Sequence, residues 1–72
     1  MNDYSFELGF SQVRQKDVEE VRARIMGLLG LKTRPSWYAR LSGTVEPKVS
    51  EAKAIEELFA EYGITEVWGA SK

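Results

Sequence analysis

The side chains best suited to chemistry in this sequence are cations, and they cluster in its middle. Residues 14–48 carry eight Lys or Arg and four Asp or Glu, a net charge of +4, whereas residues 1–13 carry −2 and residues 49–72 carry −3. Guanidinium and ammonium groups bind phosphates, and Arg does so through a rigid fork of N–H donors. The basic middle therefore predicts a surface for a polyanion, although solvated helix faces often show the same imbalance.

Catalysis and metal binding have little support in the sequence. The chain has no Cys and no His, which excludes thiol nucleophiles, imidazole bases, disulfides and the usual zinc ligands. Glu56, Glu57 and Glu61 fall on one predicted helix, where carboxylates more often serve solubility than acid–base catalysis. No glycine-rich phosphate loop accompanies them. We therefore predict that the protein is not an enzyme and uses no cofactor, metal or small-molecule substrate.

Two stretches combine amphipathic spacing with a polar start and a glycine end. Asp17 and Glu20 form the predicted capping pair of the first helix, and Gly30 is the left-handed residue that ends it. Ser50 is the predicted cap of the other helix, which Gly63 closes. Helices of this kind bury one face against a core.

A shorter helix is predicted between these two, in "TRPSWYARLSG". Thr33 is a good N-cap, Pro35 suits a first helical turn, and Gly43 ends the element. Trp37 and Leu41, four residues apart, share one face. Taken over the three predicted helices, the residues expected in the core are Ile25, Leu29, Trp37, Leu41, Ile55 and Leu58.

Both ends of the chain have the pattern of β-strands. Tyr4, Phe6, Leu8 and Phe10 alternate with polar or small residues, a period of two, and "ITEVW" at 64–68 is rich in strand formers. An isolated two-stranded ribbon is unstable in water, so these segments must pack on the helices or be completed by another chain. The pattern leaves open whether they pair within one chain or between two.

The order of these elements resembles the helix-turn-helix DNA-binding domains of the lambda-repressor-like class. "IMGLLGL" matches the first helix of the motif and its glycine turn, and "TRPSWYARLSG" matches the recognition helix. "TVEP" has the glycine-to-proline spacing of the following loop, and "EAKAIEELFAEYGI" matches the supporting helix. The predicted fold is thus mainly α, a three-helix core at about 17–29, 33–42 and 50–62 with short strand-like terminal segments.

The resemblance implies a function and a set of contacts. The recognition helix at 33–42 enters the DNA major groove while neighbouring cations hold phosphates, which makes the protein a small DNA-binding protein and a transcriptional regulator. Among the residues that face bases in the family, Arg34 is the strongest reader here, because it can bond guanine through two N–H groups. The predicted DNA contacts are Lys32, Thr33, Arg34, Ser36, Tyr38, Arg40, Ser42 and Lys48.

Other interpretations of these residues stay open. Arg34 and Arg40 could be solvated or paired with glutamates, and Tyr38 could be partly buried instead of in contact with DNA. The alternative function is a protein-interaction or oligomerisation module on the same helical scaffold. Its surface would be the strand-like ends, whose exposed edge could accept a strand from another chain. The residues expected on that surface are Phe6, Phe10, Val67 and Trp68.

The length of the sequence limits its organisation. Its 72 residues make one domain at 1–72, and so small a domain has little core to stabilise it. A second copy of the chain could cover what one copy leaves exposed, so we expect a homodimer. No run of residues reaches the length of a membrane span, and the start of the sequence lacks the pattern of a signal peptide. A cytoplasmic protein that does not bind membranes is expected.

Overall fold

A computed structural model describes residues 4–69. Within that range the chain forms four α-helices, which are α1 (Glu7–Ser11), α2 (Val18–Leu29), α3 (Arg34–Leu41) and α4 (Val49–Glu61). A short 3₁₀ turn precedes α2, and the segment after α4 contains neither helix nor strand. The predicted mainly helical class is therefore confirmed. The first three and last three residues of the predicted domain lie outside the described part of the chain.

The three helices predicted from the sequence coincide with α2, α3 and α4 to within one residue at each end. Gly30 ends α2 in a left-handed conformation, with φ of 70°. The Leu31 N–H then donates to the Met26 carbonyl at 2.8 Å, which closes the helix end. Ile64 repeats this arrangement after α4, where its N–H donates to the Phe59 carbonyl at 3.0 Å. The glycine signals were thus sufficient to place both helix ends.

Two predicted caps are wrong. The Asp17 side chain makes no capping bond, because α2 continues directly from the 3₁₀ turn and its first residues are already coiled. Ser50 lies inside the first turn of α4, since the helix begins one residue earlier than predicted. The Glu51 carboxylate instead accepts a hydrogen bond from the Lys48 N–H at 2.9 Å. Only the cap of α3, Thr33, acts as predicted.

The predicted N-terminal strand is also wrong, because residues 7–11 form α1. Within this helix Gly9 is buried and Phe10 is partly buried, and Phe6 directly before the helix and Val13 shortly after it are buried as well. The alternation of Tyr4, Phe6, Leu8 and Phe10 is compatible with either element. In the helical arrangement, Gly9 lies against the backbone of Val67, where a Cβ atom would come within 2.9 Å of the Val67 Cα.

The two ends of the chain meet within one molecule. The Leu8 and Gly9 N–H groups, in the first turn of α1, donate to the carbonyls of Gly69 and Val67 at 2.8 and 3.0 Å. The Gly69 N–H returns a bond to the Ser5 carbonyl at 2.7 Å. First-turn N–H groups have no partner inside their own helix, so the C-terminal segment supplies acceptors that α1 lacks. The predicted partnership of the two ends exists, but it is not a β-ladder.

One hydrophobic core joins all four helices. Trp37 lies in it, with ring centroids 5.7 Å from Phe6 and 5.2 Å from Phe10. Of the residues predicted for the core, Ile25, Trp37, Ile55 and Leu58 are buried, while Leu29 and Leu41 are partly buried. The other buried hydrophobic residues are Phe6, Val13, Val21, Phe59, Ile64 and Val67. None of the helices in residues 4–69 is long and apolar enough to cross a bilayer.

Candidate functional site

The start of α3 is fixed by its own side chains. The Thr33 hydroxyl accepts from the Ser36 N–H at 3.3 Å, and the Ser36 hydroxyl donates to the Thr33 carbonyl at 2.8 Å. Pro35 fits the first turn because its missing N–H would have had no helical partner. Thr33 and Ser36, both predicted DNA contacts, are therefore first of all the residues that begin the helix. Their hydroxyls orient α3 and the side chains that it carries.

A cleft of about 280 Å³ lies between α2 and α3. Arg22 and Met26, one turn apart on α2, line it from one side. Arg34, Trp37 and Tyr38 line it from α3. The cleft is therefore lined by two arginines and a tyrosine beside apolar side chains.

The polar residues of this cleft differ in exposure. Tyr38 is 58% exposed, so its ring is accessible to solvent. Arg34 is exposed and has no acidic partner among the residues that the structure describes. Arg22 makes a long contact with Glu19, 3.4 Å between Nη1 and Oε1, while its Nε is shielded from solvent without an acceptor in residues 4–69.

Arg40, by contrast, is bound to the body of the protein. Its Nη1 lies 3.0 Å from Oε1 of Glu51, and the two side chains are only 17% and 20% exposed. The hydrogen bond from the Lys48 N–H stabilises the charged carboxylate of Glu51 most, and the bond from the Arg40 guanidinium adds to it. Together they hold the pKa of Glu51 below its usual value. Arg40 thus joins the end of α3 to the start of α4, one of the two arrangements that the sequence left open.

The remaining predicted contacts do not converge on the cleft. Lys32 is exposed in the turn that joins α2 to α3. The Ser42 hydroxyl lies 2.9 Å from that of Thr44 in the loop after α3. Lys48, at the start of α4, borders a different groove, which Val49 and other residues of that helix line. The structure therefore brings Arg34 and Tyr38 together and leaves Lys48 elsewhere.

Arg22 is the cleft residue that sequence reasoning missed. Its position in the helical period does not indicate which residues of α3 lie beside it. A possible signal was the pairing of Arg22 with Met26 and of Arg34 with Tyr38, each four residues apart. Such pairs show which residues share a helix face. They do not show that the two faces border one cleft.

A second basic residue of α2 is engaged in an ion pair. The two Nη atoms of Arg24 donate to the two carboxylate oxygens of Glu61 at 3.0 and 3.1 Å. The Tyr62 hydroxyl accepts a further bond from Arg24 and donates to Glu20 at 3.0 Å. The Glu61 and Tyr62 bonds raise the pKa of Arg24, and the Arg24 bond lowers the pKa of Glu61. Much of the +4 charge of the middle segment is therefore balanced by glutamates of α4.

The described residues contain no group of three acidic side chains placed to hold a metal ion, and the sequence contains no His or Cys that could replace them. Comparison of the chain with models of protein families, with curated proteins and with solved structures gave no match. The resemblance to helix-turn-helix domains accordingly stays a prediction from the sequence, and the cleft between α2 and α3 is the feature on which a function can be argued.

Proposed function

We propose that this protein binds double-stranded DNA and regulates transcription, with α2 and α3 acting as a helix-turn-helix and α3 in the major groove. The observation that carries the proposal is the cleft itself, where Arg22 and Arg34 from consecutive helices meet beside the exposed ring of Tyr38. Arg22 and Arg34 line one cleft and Lys32 is exposed in the intervening turn, so three cations are available to phosphates of the DNA backbone. A cytoplasmic location belongs to the same proposal.

The side chains have different parts in this proposal. Arg34, at the first position of α3, bonds a guanine edge or a phosphate, because the N-terminal part of a recognition helix lies deepest in the groove. Arg22 and Lys32 bind phosphates on either side. Tyr38 contacts a phosphate or a thymine methyl group. Arg40 and Ser42 contribute less to DNA binding, because their side chains already bond Glu51 and Thr44 within the protein.

The test is a fluorescence anisotropy titration of a mixed-sequence duplex. Arg34→Gln and Arg22→Gln are each expected to weaken binding about tenfold, because each removes a charge-assisted contact. Lys16→Gln is the matched control, since Lys16 is exposed in the 3₁₀ turn before α2, lines neither the cleft nor the groove beside α4, and loses the same charge. With three phosphates neutralised per copy, log K should fall against log salt with a slope of roughly −3. Absence of binding at low salt would refute the proposal.

A specific observation also favours self-association, the alternative function. Val49 is 87% exposed, and with Tyr4 it lines a shallow groove of about 660 Å³. Glu46 and Lys53 border the same groove with opposite charges. A two-fold dimer uses the same patch on both copies. A patch with both charges can therefore be complementary to itself, with an acidic residue of each copy facing a basic residue of the other. We propose that a second copy of this chain covers the groove.

Light scattering after size-exclusion chromatography tests the homodimer. Val49→Glu places a charge in the apolar patch of both copies and should give a monomer, while Leu28→Glu on α2, an exposed apolar residue away from that groove, should leave the dimer intact. A monomeric wild-type protein, or a Val49→Glu variant that stays dimeric, would contradict this interface. Of the residues expected on a surface formed by the terminal segments, Phe6 and Val67 are buried, and Phe10 and Trp68 are partly buried.

A further inference from the structure

The cleft between α2 and α3 presents donors to whatever enters it. Arg22 and Arg34 each carry a guanidinium with several N–H groups and no acceptor, and Tyr38 adds a hydroxyl. No carboxylate of the described residues lines the cleft. A ligand must therefore bring oxygen acceptors and negative charge. This set of donors distinguishes the cleft from the groove beside α4, which is lined by both glutamates and lysines.

Arg22 is poorly satisfied by the protein alone. Its one ionic partner, Glu19, has a side chain that is 84% exposed and lies 3.4 Å away, so water screens that contact. Its Nε is shielded from solvent and has no acceptor within residues 4–69. Because the Arg22 side chain as a whole is 35% exposed, an anion in the cleft would compete with Glu19 for its terminal N–H groups.

The number of charges favours a phosphate monoester over a phosphodiester. A phosphodiester of the DNA backbone carries one negative charge, whereas a terminal phosphate carries about −1.5 to −2 at neutral pH and has three free oxygens. Two arginines that line one cleft match the second of these, since each guanidinium is a fork of N–H donors. The volume of about 280 Å³ lies at the lower end of the range for ligand pockets and suits a small molecule or a strand end.

The remaining walls indicate what carries the phosphate. Met26 and the edge of Trp37 supply apolar surface, and the Tyr38 ring is exposed at the side of the cleft. Aromatic rings stack with nucleobases with little dependence on base identity. A ligand with a phosphate at one end and a planar, weakly polar group at the other would thus meet the arginines with its phosphate and the apolar and aromatic side chains with its planar group.

We propose that this cleft binds a nucleotide through a terminal phosphate monoester, with Arg22 and Arg34 on the phosphate and Tyr38 beside the base. This inference rests on the same cleft as the proposed DNA binding and adds the class of group that the cleft selects. The nucleotide is either free or the 5′-phosphorylated end of a DNA strand. Both ligands present a terminal phosphate monoester attached to a nucleoside, and the second experiment below distinguishes between them.

Isothermal titration of the full chain with AMP and with adenosine tests the phosphate. AMP is expected to bind at least about tenfold more tightly than adenosine, because the nucleoside cannot engage the guanidinium forks. Arg22→Lys and Arg34→Lys keep the charge and lose the fork, so each should weaken AMP binding about tenfold, while Lys16→Gln, outside the cleft, should not change it. Equal affinity for AMP and adenosine, or lysine variants that bind like the wild type, would overturn the inference.

Two short blunt duplexes, with 5′-hydroxyl and with 5′-phosphate ends, identify the source. Tighter binding of the phosphorylated duplex supports recognition of a DNA end. If the two duplexes bind equally and the protein also binds AMP, the ligand is a free nucleotide. Binding of the hydroxyl duplex without any response to AMP or to the end phosphate overturns this inference while the proposed function stands. Binding of AMP without binding of either duplex upholds the inference and refutes DNA binding.

Discussion

At the scale of single residues, the two arginines of α3 have different surroundings. Arg34 begins the helix and lines the cleft, whereas Arg40 lies at its end and binds Glu51 at 3.0 Å. Both occur in the same basic stretch, and nothing in their immediate neighbours separates them. The distinction arises because the start of α4 packs beside the end of α3. Removal of each side chain should consequently affect a different property.

Glu51→Gln is expected to lower the free energy of unfolding at pH 7 by about 1–2 kcal/mol, because the ionised carboxylate bonds both the Lys48 N–H and Arg40 on a partly exposed surface. The matched control Arg34→Gln should change stability by less than about 0.5 kcal/mol. Urea unfolding of the two variants checks both values. A larger loss in Arg34→Gln would contradict the assignment of roles.

The lowered pKa of Glu51 also predicts a dependence on pH. A group whose pKa is lower in the folded state stabilises the protein above its unfolded pKa of about 4.3, and that stabilisation is lost as the pH falls through the folded value. Between neutral pH and about pH 3 the wild type should therefore lose more stability than Glu51→Gln. Urea unfolding over this range measures the difference. Parallel curves would show that Glu51 is not responsible.

At the scale of elements, the first helix shows why local patterns can mislead. Its residues alternate like a strand, but they also place Phe6, Phe10 and Val13 at helical spacing. The helix prevails because the carbonyls of Val67 and Gly69 satisfy its first N–H groups and because Gly9 allows the backbones to meet. Neither reason is visible within residues 4–13. The glycine is thus a packing requirement at this site.

Gly9→Ala is expected to destabilise the protein by about 1–3 kcal/mol, because the new Cβ would lie 2.9 Å from the Val67 Cα, a backbone atom that cannot turn aside. Gly27→Ala is the matched control. Gly27 lies within α2 and nothing is within 4 Å of its would-be Cβ, so alanine should stabilise the helix by about 0.5–1 kcal/mol. Urea denaturation compares the two variants. Changes of equal sign would contradict the described packing of α1.

At the scale of the whole molecule, the fold is closed by contacts between residues far apart in sequence. Val67 is buried against α1, and Trp68 packs edge-on to Phe6 with its indole N–H donating to Glu56. A core of this size supplies at most about 3–5 kcal/mol, so loss of one anchoring side chain consumes much of the total. Residues 62–69, which follow α4, are therefore part of the fold.

Val67→Ser and Glu66→Ser introduce the same residue at adjacent positions with opposite burial. The first should lower the free energy of unfolding by about 2–4 kcal/mol, because it removes buried methyl groups and buries a hydroxyl. The second lies on the exposed side and should change it by less than about 0.5 kcal/mol. Thermal and urea unfolding followed by circular dichroism measure both. Equal effects would show that the chain ends do not meet as described.

The sequence alone determined the positions of α2, α3 and α4, because helical periodicity, the Thr33 cap and the terminal glycines act within a few residues. It also determined which residues are cations. Tertiary structure decided which of them have acidic partners, since the glutamates that engage Arg40 and Arg24 lie 11 and 37 residues away. It likewise decided that Arg22 and Arg34 line one cleft and that residues 7–11 are helical. Such outcomes depend on contacts between distant segments, which no local pattern encodes.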